Sequence, residues 1–261
     1  MCIRDSFQIS SDAAGQLVDQ DTAPGHLDLV AGQLNLEAGA GTNSLFVSDN
    51  EASEGDGFDG AKVVITSTDI TNLAPAQITY EATGGNFDAG LSIWTSPHAD
   101  NIDITSVDVG SPLTMTTVYT AGGDDDVRVE VVDQNGDLHT TLPEEGDRRL
   151  RIRTQDGEDV VDASRAAIAV RIESGNDRDI VKGGSNDDII YSGDDSDIVF
   201  GGNGLDYISA IRDLPGGTFH MDDEIIFGDH GRVVFNSDAG PHSIDSFEPV
   251  ETGAVLSLIH I

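Results

Sequence analysis

The sequence predicts an all-β fold: a right-handed parallel β-roll or β-helix solenoid, with strands and loops inserted in its N-terminal half. Three observations predict it. Four nine-residue blocks run without remainder from Ser174 to Ser209, a looser version of the same turn-and-strand shape recurs upstream, and the composition is strongly acidic yet 38 % hydrophobic. That apolar share, with Val and Ile prominent, separates the chain from a disordered acidic tail.

The blocks read SGNDRDIVK, GGSNDDIIY, SGDDSDIVF and GGNGLDYIS. The last fits G-G-x-G-x-D-x-U-x, with U apolar, through Gly201, Gly202, Gly204, Asp206 and Ile208. In the other three the acid column is Asp179, Asp188 and Asp197, the apolar column Val181, Ile190 and Val199, and the second-glycine column Gly175, Gly184 and Gly193. Ser174, Ser192, Asp177, Asn186 and Asp195 replace glycine in the first and fourth columns; all are small or tolerate positive φ. Each block is a short strand plus a tight turn, and its apolar residue must stack on those of neighbouring blocks because one strand cannot bury its own face. With two blocks per coil, residues eighteen apart lie at about 4.8 Å. Asp179 then faces Asp197 on one edge and Asp188 faces Asp206 on the other. Like carboxylates so placed repel by about 1 to 4 kcal/mol. Eight aspartates lie in this stretch against Arg178 and Lys182, so a cation from outside the chain is expected between them.

These blocks resemble the repeats-in-toxin, or hemolysin-type calcium-binding, family, over about thirty-six residues and strictly in the last nine. The resemblance implies that Asp179, Asp188, Asp197 and Asp206 give carboxylate oxygens to Ca2+. The turn residues around them, Asp177, Gly184, Asn186, Gly193, Asp195, Gly202 and Gly204, would complete the oxygen shell this hard cation prefers.

Five regions are expected: a foreign hexapeptide plus linker at 1–25, irregular solenoid coils with insertions at 26–173, the calcium-binding roll at 174–209, degenerate terminal coils and a loop at 210–255, and a foreign tail at 256–261. MCIRDS and LSLIHI are encoded by DNA strings that are reverse complements and resemble the end sequence of a transposase used in library preparation, so both are set aside. The chain is therefore expected to be an internal piece of a longer protein. Upstream, turns recur at Gly41, Asn43 and Leu45; His98, Asp100 and Ile102; Gly123, Asp125 and Val127; and Gly157, Asp159 and Val161. They are read as the second half of the nonapeptide at irregular spacing, with Asn43 heading the acid column. The segment 48–90 is expected as a surface insertion holding an acidic glycine-rich loop and two β-rich stretches. An independent β-sandwich also fits the first hundred residues. Ala163 to Arg171 has helical composition but is placed in a coil, and a hairpin with an Asn-Gly turn is expected at Asn135 and Gly136. Downstream, Glu224 falls in the acid column and Ile226 in the apolar one.

The 13 basic and 48 acidic residues give a net charge of −35, which repels nucleic acid and anionic membrane surfaces. Halophile-style surface acidity would not confine aspartates to turn positions. No apolar run reaches the length of a membrane span, and Cys2, the single cysteine, lies in a segment set aside. Gly55, Gly57 and Gly60 form a literal G-x-G-x-x-G, but a strand-like run follows and Asp56 and Asp59 would repel a pyrophosphate. Asp133, Asn135, Asp137 and Glu144 match EF-hand positions, with Leu138 where glycine is needed. No zinc signature or nucleophile elbow is found.

The expectation is thus a non-enzymatic, calcium-binding structural or adhesive repeat region of a secreted or cell-surface bacterial protein. Calcium ions and cell-surface or matrix components are its expected partners; nucleic acid and membrane insertion are not. The alternative is the accessory calcium-binding roll of a secreted protease or lipase whose catalytic domain lies elsewhere.

Overall fold

The computed structural model describes residues 6–9, 25–57, 61–108, 114–131, 150–209, 223–228, 231–235, 244–249 and 256–260. Every regular element among them is a β-strand. Eight strands form a first, wholly parallel sheet in the order Ser6–Ile9, Ser44–Ser48, Leu91–Trp94, Thr116–Tyr119, Leu150–Asp156, Val170–Asn176, Ile189–Gly193 and Tyr207–Ser209. From Leu91 onward successive strands alternate between this sheet and a second one. There Asn101–Ile104, Asp126–Val129, Val160–Asp162, Ile180–Lys182, Ile198–Phe200 and Asp223–Phe227 lie side by side in parallel register.

The alternation follows from short β-branched runs separated by tight glycine and aspartate turns, too short to return the chain within one sheet. One inward column of the first sheet is Ile93, Val118, Ile152, Ile172 and Ile190; that of the second is Ile102, Val127, Val161, Val181 and Val199. All ten are fully buried in a single core cluster, so the apolar positions read from the repeats meet across a thin two-layer interior.

The segment expected as a surface insertion is built into the second sheet. Val63–Ile65, Asp69–Thr71 and Ile78–Glu81 form an antiparallel meander between Asn101–Ile104 and Leu34–Glu37, and Val63, Ile65, Ile70 and Ile78 join the core. Alternating apolar residues make these strands one-faced, and the open sheet edge supplies the surface to bury that face. Parallel pairing runs unbroken through the first sheet from Ser6–Ile9 to Tyr207–Ser209, so the first hundred residues share a sheet with the nonapeptides. The stretch Ala163 to Arg171 is a turn leading into Val170–Asn176. Ser6–Ile9 pairs with Ser44–Ser48, and Leu256–His260 pairs antiparallel with Asp223–Phe227, although the sequence reading placed both segments outside the fold. The Asn135–Gly136 hairpin lies outside the described residues.

On the outer face of the first sheet, Trp94, Tyr119, Arg153, Glu173 and Tyr191 occupy one register column. Trp94 stacks on Tyr119 with centroids 4.4 Å apart, and the Arg153 guanidinium lies 5.3 Å from the Tyr119 ring. The buried Glu173 carboxylate meets Arg151 at 2.5 Å, Arg171 at 2.7 Å and Arg153 at 3.1 Å. Burial alone would raise its pKa, but the Arg151 and Arg153 charges outweigh it and hold the carboxyl below its ordinary value. This contribution to stability is present above the unfolded-state pKa and is lost as pH falls through the lowered folded one. Glu173→Ala, which strands the nearly buried Arg153, is expected to lower unfolding free energy by about 3 to 5 kcal/mol in urea denaturation.

Candidate functional site

The two sheets meet at two edges, and the turns at each edge carry the acids. On the first edge the chain passes from the first sheet to the second through five turns that end at Asp100, Asp125, Asp159, Asp179 and Asp197. The strand register places these five residues level with one another on consecutive passes. Their separations of 25, 34, 20 and 18 residues are uneven because the returning segments differ in length, whereas the turns themselves keep six residues. Positive φ recurs at the second and fourth turn positions: Ala121 and Gly123, Gln155 and Gly157, Gly175 and Asp177, Gly193 and Asp195. At 154–159 a glutamine holds φ 77° where the template has glycine, so the neighbouring strands impose the turn as much as its own residues do.

Each of these aspartates is at most 2 % exposed and is tied to the next. The Asp100 N–H donates to Asp125 Oδ1 at 2.8 Å, and the N–H groups of Asp125, Asp159 and Asp179 donate to Oδ1 of Asp159, Asp179 and Asp197 at 2.9 Å each. The second oxygens, Oδ2 of Asp125, Asp159 and Asp179, are buried and receive no hydrogen bond. Five positions before each aspartate stands a fully buried hydroxyl residue, Thr95, Thr120, Thr154, Ser174 or Ser192. Three of these donate onward to the next pass: Thr120 to the Thr154 carbonyl at 3.4 Å, Thr154 to that of Ser174 at 2.7 Å and Ser174 to that of Ser192 at 2.6 Å. Thr95 differs: it donates to Asp100 Oδ2, and Ser96 donates to Asp100 Oδ1 at 2.7 Å, so both oxygens of Asp100 have donors.

A buried carboxylate beside its like is harder to ionise. Burial, with the charges of Asp159 and Asp100, pushes Asp125 up to about 9; burial, with Asp159, pushes Asp179 up to about 8; Asp100 and Asp159 rise to about 6, chiefly through burial.

The second edge, where the chain returns to the first sheet, carries Asp188 and Asp206. The Asp188 N–H donates to Asp206 Oδ1 at 3.0 Å, and Asp188 accepts from Val170 N–H at 2.8 Å and Gly184 N–H at 2.6 Å. Here the first turn position is glycine for a geometric reason. A Cβ on Gly183 would lie 2.1 Å from the Gly201 carbonyl oxygen and 2.8 Å from Asp188 Oδ2; one on Gly201 would lie 2.4 Å from the Gly228 oxygen and 2.5 Å from Asp206 Oδ2. At each glycine a carboxylate and a carbonyl of the following turn thus converge on the space a side chain would fill. One pass upstream, the register puts Val170 level with Asp188, and Leu150 level with Val170, so among the described residues the acid column of this edge does not extend upstream of Asp188.

The structure brings together the pairs expected from the repeats: Asp179 with Asp197, and Asp188 with Asp206. Asp177 and Asp195 hold the fourth-column glycine conformation, at φ 71° and 74°, with side chains exposed and outside the buried column. Gly193, Gly202 and Gly204 have positive φ, and a Cβ on Gly204 would lie 2.5 Å from the Asn186 oxygen, so Asn186 contributes backbone to this turn. The Gly184 carbonyl accepts from Asn203 N–H at 3.0 Å. Asn43 does not head the acid column: its strand belongs to the first sheet, which puts it on the opposite edge from Asp100. The residue above Asp100 is Asp56, whose N–H donates to Asp100 Oδ1 at 2.6 Å and whose carbonyl accepts from Asn101. The discarded G-x-G-x-x-G therefore begins in the acid column, with Gly57 at φ 77° packed on the Asn101 carbonyl. Two features escaped the sequence reading, Asp56 and the hydroxyl column; the constant five-residue offset from Thr or Ser to Asp was the available signal. The EF-hand-like stretch at Asp133 lies outside the described residues.

The groups at both edges that could ligate a metal are carboxylate, hydroxyl and carbonyl oxygens, which suit a hard cation. Among the described residues no three His, Cys, Asp or Glu side chains converge on one point. Carboxylates instead arrive as successive pairs, with backbone carbonyls as the remaining oxygens in reach. No protein-family model, curated protein or solved structure matches this chain.

The raised pKa values have a stability consequence in metal-free solution. The aspartates bind protons more tightly folded than unfolded, where the pKa is about 3.9. Their contribution to stability is then greatest below that value and falls as pH rises toward about 9, the folded value of Asp125. Thermal denaturation in chelator at stepped pH should show the midpoint dropping across this window; a midpoint that rises with pH would contradict it.

Proposed function

We propose that this chain is a right-handed parallel β-roll that binds Ca2+ along its edges, and that it serves as a non-catalytic structural or adhesive repeat region of a secreted or cell-surface protein. One observation carries the reading: acids on consecutive passes stand level within buried turns, where carboxylate and carbonyl oxygens of adjacent turns converge. The right hand rests on the general preference of parallel strand crossovers. The nonapeptide resemblance to the repeats-in-toxin family supports both the metal and the extracellular setting, where calcium is plentiful and such sites bind at about 10⁻⁴ to 10⁻³ M.

On this reading Asp179 with Asp197, and Asp188 with Asp206, hold the ion through their carboxylates, and the turn carbonyls near Gly183 and Gly201 complete its surroundings. Bound Ca2+ supplies the positive charge that lets neighbouring aspartates ionise together. The turns impose the spacing, the valine and isoleucine columns keep the sheets in register, and metal binding thereby adds to folding free energy.

Calcium titration of the chelated protein is expected to increase the β-sheet circular dichroism signal and raise the melting temperature. Asp188→Ala with Asp206→Ala should blunt both responses. Identical spectra and melting curves with calcium and with chelator would refute the reading.

A further inference from the structure

We propose that the first edge carries a one-sided row of divalent-cation sites that continues upstream of the nonapeptides to a site between Asp159 and Asp125 and stops before Asp100, whose two carboxylate oxygens already accept from Thr95, Ser96 and the Asp56 N–H. The inference rests on the calcium reading and extends it to turns that lack the nine-residue repeat.

Three observations carry it. The turns ending at Asp125 and Asp159 repeat the backbone of the nonapeptide turns, with positive φ at Ala121 and Gly123 and at Gln155 and Gly157. Their aspartates are as buried as Asp179 and use Oδ1 in the same way, each accepting the N–H of the preceding aspartate. Oδ2 of Asp125 and of Asp159 is buried and receives no well-aligned hydrogen bond: the hydroxyls of the same turns, Thr120 and Thr154, stand near enough to ease ionisation of these carboxylates, but their bonds run to the Thr154 carbonyl at 3.4 Å and the Ser174 carbonyl at 2.7 Å. A buried carboxylate oxygen without a well-aligned donor is expensive to keep, and a cation shared with the next carboxylate supplies what the protein does not. A carbonyl accompanies it, since a Cβ on Gly157 would lie 2.1 Å from the Gly123 oxygen. The other edge offers nothing comparable at these levels: Val170 and Leu150 stand where the acids would be. Among the described residues, the in-register acids of the upstream half therefore stand on one edge, whereas the nonapeptides carry acids on both.

The test uses the full chain and Ca2+ itself. In equilibrium dialysis, Asp125→Asn with Asp159→Asn is expected to bind fewer ions than the unaltered protein, while Asp188→Ala with Asp206→Ala loses a separate set. An undiminished count in the folded Asp125→Asn/Asp159→Asn protein would overturn the inference and leave the nonapeptide sites standing; no calcium bound by the unaltered chain would overturn the calcium reading itself. A second measurement needs no acid substitution. Trp94, the only tryptophan, immediately precedes the Thr95–Asp100 turn. Trp94 also stacks on Tyr119, which immediately precedes the Thr120–Asp125 turn, so Tb3+ bound at Asp125 should luminesce on tryptophan excitation, lose that signal in Trp94→Phe and be displaced by Ca2+. Tb3+ bound to the protein with no tryptophan-sensitised emission would place every ion in the nonapeptides and contradict the proposal.

Discussion

The structure depends on stacking like charges. Asp100, Asp125, Asp159, Asp179 and Asp197 stand level on consecutive passes, almost wholly out of water, so each ionised carboxylate is opposed by the next in a medium that screens poorly. Backbone N–H groups satisfy one oxygen of each neighbour, which fixes the carboxylates in register without neutralising them. Ten inward valines and isoleucines hold the sheets together around a thin core. The same apolar register that stabilises the fold therefore forces the acids into proximity, and the proposed role of calcium follows from that coupling.

The two edges solve the problem with different chemistry. The first has a buried threonine or serine at the head of each turn, and hydroxyls that pass hydrogen bonds from turn to turn. The second has glycine there, because carboxylate and carbonyl oxygens occupy the space of a Cβ. The outer face of the first sheet is a third arrangement: Glu173 gathers three of the chain's thirteen basic residues, and Arg153 and Arg171 lie over Tyr119 and Tyr191. In so acidic a protein this cluster neutralises charge within the structure.

The nonapeptide stretch was readable from sequence because its acid, glycine and apolar columns share one period, and a one-residue slip would turn every apolar residue outward. Upstream the same turn survives with altered residues, such as Gln155 at a glycine position, and returning segments of unequal length hide the period. Asp125 and Asp159 were nonetheless placed in the right column, since an acid two residues before an apolar one marks the start of a strand. Asn43 was misplaced because the spacing of turns along the chain does not say which edge a turn occupies. The meander at 63–81 was missed as part of the sheet for a related reason: antiparallel and parallel strands share one alternating pattern, and only pairing distinguishes them.

The central claim is that a divalent ion sits between acids on adjacent passes. A crystal structure grown in calcium, with anomalous difference density measured at long wavelength, tests it most directly. The account predicts ordered peaks between Asp179 and Asp197 and between Asp188 and Asp206, each surrounded by carboxylate and carbonyl oxygens. Well-ordered turns with no such density, their carboxylates held by protein N–H and hydroxyl groups alone, would contradict it.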